Sequence, residues 1–347
     1  PTFTPTAVPP TSTPAALVHV VQAGETLYHI ADVYQITIEQ LARANQRTTT
    51  DFLYVGEELL IPQADAPPPI IQPSVYSNTI SYEMYLPADA PTAVNGVPYE
   101  TILTMSVEAR QHIVALYQLG QTLGRDPHAF AKVGDSTVEN DHFLSRFDEG
   151  SYELGDYAYL QRVIDMYAGS YHRDSAAVRI GFHAWTLFDP LWADKNRCGA
   201  NESALECEIR LHNPAIILIR IGANDVGVPN SYEKSLREIV EYCLEEGVIP
   251  IIGTKADRND GPDNINNALM RLIAADYQLP VWEYDLVANT IPGRGLDEDG
   301  IHMNTFYAHD YTDPLAFERG HAVHNLTALI VLDLLTQIVN TPSEGAP

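Results

Sequence analysis

The tightest constraint on the fold is a rhythm of short, almost wholly apolar runs set between amphipathic segments. AFAKV (129–133), AAVRI (176–180), AIILIRI (215–221), VIPIIG (248–253) and LPVWEYD (279–285) are too short for helices and too apolar for half-exposed strands. They read as strands buried on both faces. The intervening LGDYAYLQRVIDMYAG, SALECEIRLHN, SYEKSLREIVEYCLEEG and NINNALMRLIAADYQ repeat apolar residues at helical spacing, and a last helix is expected over roughly 320 to 340. SALECEIRLHN also opens on Ser203 with Glu206 three positions on, the pattern of a capping box. Strands alternating with helices imply a parallel sheet covered on both faces through right-handed crossovers. In such sheets a site forms at the carboxyl ends of the strands.

What stands at those ends is chemically specific. The first run leads into Gly134-Asp135-Ser136, which places a hydroxyl at the sheet edge before the next helix. The third leads into Gly222-Ala223-Asn224-Asp225, an amide at the same edge. Asp299-Gly300-Ile301-His302 precedes the C-terminal helix. A serine hydroxyl attacks an ester carbonyl only when a neighbouring base takes its proton, and a carboxylate holds that base in the right tautomer. An amide donor suits a developing oxyanion.

In this order and placement, the three blocks resemble those of the SGNH hydrolases, a branch of the GDSL esterase and lipase superfamily, from Phe130 to the C-terminal helix. The resemblance implies a flavodoxin-like three-layer α/β/α fold with a five-stranded parallel sheet. It puts Ser136 at the nucleophile, His302 at the base, Asp299 at the residue that orients it, and the Ser136 amide and Asn224 side chain in the oxyanion hole. The family's second block is altered here. Gly181-Phe182-His183-Ala184-Trp185-Thr186 fits it best, with Ala184 at the usual glycine and Gly181 as the other candidate donor. Thr137 replaces the leucine that gives the superfamily its name. His183 reads as a packed or exposed loop histidine.

A second unit precedes this one. Residues 1–16 are Pro/Thr-rich, residues 63–78 are proline-rich again, and LVHVV, GETLYHIADVY, TIEQLARAN and ELLIP lie between them. These read as strand, helix, helix and strand, with Thr37 and Gln40 forming a capping box. Val20, Gly24, Glu25, Thr26, Leu27, Ile30, Ala31, Tyr34, Leu41, Asn45, Gly56, Leu59, Ile61 and Pro62 fall where the LysM fold has its signature, so residues 17–62 resemble a βααβ LysM module. The resemblance implies binding of N-acetylglucosamine-containing glycan, peptidoglycan or chitin, in a groove between two loops. Those loops carry Gly24, Glu25, Thr26 and Leu27, and Phe52, Leu53 and Tyr54; Leu27, Leu53 and Tyr54 also read as small-core residues. The expected organisation is a linker over 1–16, the module over 17–62, a linker over 63–98, the catalytic domain over 99–340 and a tail over 341–347, with 79–98, which has no clear periodicity, open to packing on the catalytic domain.

Composition narrows the partners. With 46 acidic against 20 basic residues, a net charge of -26 offers no counterion-releasing patch for nucleic acid. The most apolar stretch, Ala328 to Leu335, is broken by Asp333 and falls short of the roughly 20 residues of a membrane span. A Pro/Thr-rich opening on Pro1 reads as an extracellular stalk with an upstream segment removed. Cys198 and Cys207 share a polar loop and, outside the cell, are expected to pair, whereas Cys243 sits in a helix as a buried thiol. His321 and His324 are three apart without HExxH or a cysteine pair, so no metal is expected, and they read as surface or interhelix residues. DRNDGPDN lacks the register of a calcium loop and reads as a turn. Neither GxGxxG nor a Walker sequence occurs, and no cofactor is implied.

The resulting expectation is a secreted or cell-envelope bacterial serine esterase acting on O-acyl or acetyl esters, held at cell-wall glycan by its LysM-like module. Two other readings stay open: a glycan-binding protein without activity, and an esterase of small esters or lipids that the module merely anchors.

Overall fold

The computed structural model describes residues 17–22, 25–34, 36, 41–42, 44–45, 47, 53–62, 84–139, 143–261 and 263–341, in two compact units divided between Gln72 and Pro73. The stalk 1–16, residues 63–83 of the second linker, the Thr37/Gln40 capping box and the tail from 342 lie outside the described residues.

In the first unit, β1 (Leu17–Val20) pairs antiparallel with β2 (Glu58–Ile61), matching Leu17 with Ile61 and Val20 with Glu58. Helix α1 (Leu27–Val33) turns Leu27, Ile30 and Ala31 onto the strands, where Leu41, Leu59 and Ile61 complete a small core. Asn45 ties the unit together: its amide donates to the Leu41 and Leu60 carbonyls (2.8 Å each) and its oxygen accepts from the Leu60 amide (2.7 Å). One side chain thus joins the second helical segment to β2.

The second unit begins with a hairpin of β3 (Ala93–Val94) and β4 (Val97–Pro98). Then come β5 (Leu103–Thr104), α2 (Val107–Thr122), β6 (Asp126–Gly134), α3 (Ala204–His212) and β7 (Pro214–Arg220). After these follow α4 (Pro229–Glu245), β8 (Ile249–Gly253), α5 (Ile265–Asp276), β9 (Val281–Trp282) and α6 (Gly320–Asn340). Helix starts follow local chemistry. Ser106 accepts the Ala109 amide ahead of α2, the Ser203/Glu206 capping box forms both of its bonds ahead of α3, and Pro229 opens α4, where a missing N–H costs nothing. The sheet runs β5-β9-β8-β7-β6, with β6 to β9 parallel and β5 antiparallel to β9.

The sheet is therefore five-stranded and mostly parallel, but two details correct the sequence reading. AAVRI forms no strand; Val178 makes one bridge to Gly134 at the β6 edge. Its neighbours' backbone groups are taken by side chains, Ala176 N–H by Glu208 (2.8 Å) and Ala177 N–H by Ser175 Oγ (3.1 Å), so no ladder propagates. The fifth strand is instead the antiparallel pair Leu103–Thr104. Residues 84–98, the described part of the segment whose status the sequence leaves open, pack on the second unit. Val94 is fully buried in the second unit's core, Tyr85 N–H donates to Gln337 (2.8 Å) and Asn95 donates to the Phe317 carbonyl (2.8 Å).

Helix α6 is long and apolar enough to cross a membrane, yet every residue from Gly320 to Leu335 is buried in this unit. It is the central core helix, and Asp333 within it is paired with Arg162 (2.6 Å). His321 and His324 are accordingly interior rather than surface residues. The His324 ring stacks between Phe143 (4.7 Å) and Trp282 (4.8 Å), and burial holds its pKa well below the ordinary value. DRNDGPDN is more than a solvated turn: Asp257 (2.8 Å) and Asp260 (2.5 Å) neutralise the buried Lys255 ammonium.

Cys198 and Cys207 are joined in a disulfide, with a sequence separation of 9, while Cys243 is buried and its thiol pKa is pushed up to about 12 by burial. Thiol counting on denatured, unreduced protein should find a single free cysteine, and the native protein at pH 8 should react hardly at all. Rapid native labelling would contradict the burial of Cys243. Reduction should cost on the order of 2 to 3 kcal/mol, measured as a shift in the denaturation midpoint.

Candidate active site

Strand β6 delivers Ser136 through a junction that only glycine permits. A Cβ on Gly134 would lie 2.3 Å from the Arg220 carbonyl oxygen and 2.3 Å from a Val138 methyl. Asp135 follows, fully buried, and its carboxylate accepts from the Thr137 amide (2.9 Å), the Thr137 hydroxyl (2.8 Å) and the Ala223 amide (3.2 Å). These bonds fix the turn at the end of β6 and tether it to the loop after β7. Ser136 stands between them, half-buried at the carboxyl edge of the sheet.

The partner loop is a tight return between Leu296 and Met303, closed by the Asp297 amide on the His302 carbonyl (2.8 Å). Within it the Ser136 hydroxyl donates to His302 Nε2 (2.8 Å), and His302 Nδ1–H donates to Asp299 (2.6 Å). The other Asp299 oxygen accepts the Ile301 (2.9 Å) and His302 (3.0 Å) amides. The hydrogen bond from the His302 side chain, reinforced by these two amides, holds the Asp299 pKa down at about 2, so the carboxylate stays ionised across the neutral range. The His302 and Asp299 side chains are 45% and 49% exposed, so the site is open to solvent.

Asn224 reaches the same edge because Gly222, at φ +126°, turns the chain sharply beneath the Tyr232 ring. Its amide donates one hydrogen to the Phe182 carbonyl (2.9 Å), which leaves the second free and orients the group. Ala184 does not serve as expected. Its amide is spent on the buried Asp225 carboxylate (3.2 and 3.3 Å), because the chain from His183 begins a short 3-10 turn that folds onto that acid. The Gly181 amide, by contrast, has no partner among the described residues, and neither has that of Ser136. The backbone amides without a partner at this edge, among the described residues, are thus those of Ser136 and Gly181, beside the free hydrogen of Asn224 Nδ2.

Sequence reasoning missed the buried acid Asp225. His183 Nδ1 lies 3.5 Å from it and the His183 ring stacks on Trp185 (6.2 Å, 28°), so His183 is a packed loop histidine, one of the two forms expected. Desolvation pushes the Asp225 pKa up to about 6, opposed by the Ala184 amide and by His183. Only the tripeptide after Gly222 hinted at this acid. Among the described residues, the one grouping with metal-ligand spacing is Cys198, Glu202 and Cys207, whose sulfurs are already joined to each other.

In the first unit the expected glycan residues separate. Gly24 and Phe52 lie outside the described residues. Leu27 is 1% exposed, a core residue on the inner face of α1, and so its side chain is withdrawn from any sugar. Leu53 is partly buried against the same core, whereas Tyr54 is 74% exposed. Glu25 accepts from His19 (2.8 Å) and the Gln22 amide (2.6 Å), and Thr26 Oγ1 accepts the His29 amide (3.1 Å) at the start of α1.

Residues 19–62 match the family model for the LysM domain. No curated protein matches the chain in sequence. Among solved structures the chain is similar to TesA, at 17% identity and a TM-score of 0.38 over 60% of this chain and 99% of that one. It is also similar to the psychrotrophic esterase EstA from a Pseudoalteromonas species, at 15% identity and a TM-score of 0.35 over 60% of this chain and 94% of that one. A third is a GDSL-like lipase from Bacteroides thetaiotaomicron, at 13% identity and a TM-score of 0.35 over 63% of this chain and 96% of that one.

The raised pKa of Asp225 sets a pH dependence of stability. A carboxyl group with a folded pKa above its unfolded value of 3.8 favours the fold below that value, and this contribution is lost as pH rises through about 6. Asp225→Asn keeps an oxygen for the Ala184 amide and removes the titration. Urea unfolding should therefore show wild type losing stability relative to the variant between pH 4 and pH 7. A constant gap between the two would refute the assignment.

Proposed function

We propose that the chain is an extracellular serine esterase that removes O-acyl groups, acetyl foremost, from cell-wall glycan to which its LysM domain holds it. The observation that carries this reading is the continuous hydrogen-bonded series from Ser136 through His302 to Asp299. Ser136 Oγ attacks the ester carbonyl carbon while His302 Nε2 takes the hydroxyl proton. Asp299 keeps the proton on Nδ1 and stabilises the imidazolium that forms. The oxyanion is received by the amides of Ser136 and Gly181 and by the Asn224 side chain. Collapse breaks the bond to the alcohol, which leaves with the proton from His302. Water then attacks the acyl-enzyme, gives its proton to the same nitrogen, and the acid departs as the proton returns to Ser136.

The openness of the site supports a glycan over a lipid. With His302 and Asp299 about half exposed, an ester on a bulky polymer reaches Ser136 without threading a tunnel. The LysM match over 19–62 supports the targeting half, since tethering raises the effective concentration of catalytic domain at the surface the module binds.

Ser136→Ala and His302→Ala should each lower kcat on 4-nitrophenyl acetate by several orders of magnitude without loss of folded protein, since each removes a member of a cooperating unit. Asn224→Ala should cost about 10²- to 10³-fold, chiefly in kcat, and Asp299→Asn should fall between these. Near wild-type turnover by purified Ser136→Ala would rule out the serine mechanism. A chain lacking residues 1–72 should keep that turnover yet no longer sediment with insoluble peptidoglycan or chitin. Equal sedimentation of the two forms would remove the targeting role.

A further inference from the structure

Beside the Gly181 turn lies a cleft that the proposed chemistry does not use. It has a volume of about 300 Å³ and is walled by Phe182 and Trp192 together with Asp174, Arg179, Asp194 and Arg197. Two of its lining residues, Val178 and Phe182, adjoin the segments that carry Ser136, Gly181 and Asn224. Val178, also on its wall, bridges Gly134 two residues before the nucleophile. The Phe182 carbonyl is the group that Asn224 holds (2.9 Å).

The cleft is built rather than incidental. The half-buried Trp192 indole packs edge-on against Phe182 (6.3 Å, 79°) and against Trp185 (5.9 Å, 89°), which fixes its plane, and its Nε1–H has no partner among the described residues. Arg179 donates to the Trp192 carbonyl (3.1 Å), and Arg197 is braced on Asp174 (3.2 Å to the carboxylate, 2.8 Å to the carbonyl). The loop carrying Asp194 and Arg197 is closed onto α3 by the Cys198–Cys207 disulfide, and Lys195 donates to its Gly199 (3.1 Å) and Glu202 (3.2 Å) carbonyls. A wall held this way loses little freedom when it is occupied.

We propose that this cleft is a saccharide subsite that holds the pyranose ring bearing the ester, a proposal that rests on the esterase reading above. A pyranose has apolar C–H faces that suit an indole and a rim of hydroxyls that need donors and acceptors. Trp192 supplies the first, and Arg179, Asp194 and Arg197 supply the second. An alkyl chain in the same place would strip water from four charged side chains and return no hydrogen bond. The cleft therefore takes the alcohol side of the ester, not the acyl side.

The test compares kcat/KM on mono-O-acetylated chitobiose, which keeps its other hydroxyls free, 4-nitrophenyl acetate and 4-nitrophenyl decanoate. In Trp192→Ala, the ratio of the disaccharide ester to 4-nitrophenyl acetate should fall at least about tenfold, the scale of one lost aromatic contact. Trp192→Phe should recover most of it, and Arg197→Ala, also in the cleft's lining and less intrusive to packing, should lower the same ratio. An unchanged ratio in Trp192→Ala and Arg197→Ala would overturn the subsite, as would a selective loss on the decanoate, which would mark an acyl site instead. Wild-type turnover of 4-nitrophenyl acetate with none of the disaccharide ester would overturn the subsite and leave the esterase standing. Turnover of neither ester would overturn both.

Discussion

The buried Asp135 carboxylate is the joint on which the candidate site depends. It lies at the end of β6, next to Ser136, and accepts the Ala223 amide from the loop that presents Asn224. Burial alone pushes its pKa up, and the Thr137 bonds, the Ala223 amide and the Arg220 guanidinium act in the opposite direction. A charge in such a place is tolerable only when its lone pairs are filled. That requirement is what couples the Ser136 turn to the Asn224 turn: neither can move without breaking bonds that the buried acid needs.

Arg220 extends the same logic across the sheet. It ends β7 at 3% exposure, donates to the carbonyls of Gly253 (3.1 Å) and Thr254 beyond β8, and lies over the rings of Trp282 and Tyr284 (5.2 Å each). Farther along this edge, Arg271 and Arg294 converge with Arg258 on Glu283 and Asp285. The apolar body of the sheet thus carries a polar seam at its carboxyl edge, where the chain must turn repeatedly and where unpaired backbone groups would otherwise be buried. Rigid strand ends are what allow the exposed loop of Asp299 and His302 to meet Ser136 at hydrogen-bond distance.

The departures from the sequence reading share a cause. AAVRI has the composition of a strand, but Glu208, Ser175 and the neighbouring turn take its backbone groups before a ladder can form. Ala184 stands where a family glycine was expected, yet a carboxylate from a distant loop claims its amide. His321 and His324 look polar enough for the surface, and α6 carries them into the core beside Trp282. In each case a partner far away in sequence decides, and local composition holds no record of it.

The sequence by itself determined the strand and helix alternation, the capping box at Ser203, the LysM pattern and the three blocks that bear Ser136, Asn224 and Asp299 with His302. Periodicity and turn chemistry are local, and a serine and an amide after apolar runs, with an Asp-x-x-His block ahead of the last helix, are legible as text. Only the tertiary structure decided that the Ala184 amide is bonded to Asp225, that a two-residue antiparallel strand completes the sheet, and that Trp192 and the disulfide-closed loop wall a cleft beside Gly181. Hydrogen-bond satisfaction and desolvation belong to pairs of groups brought together from distant positions, so they exist only once the chain has folded.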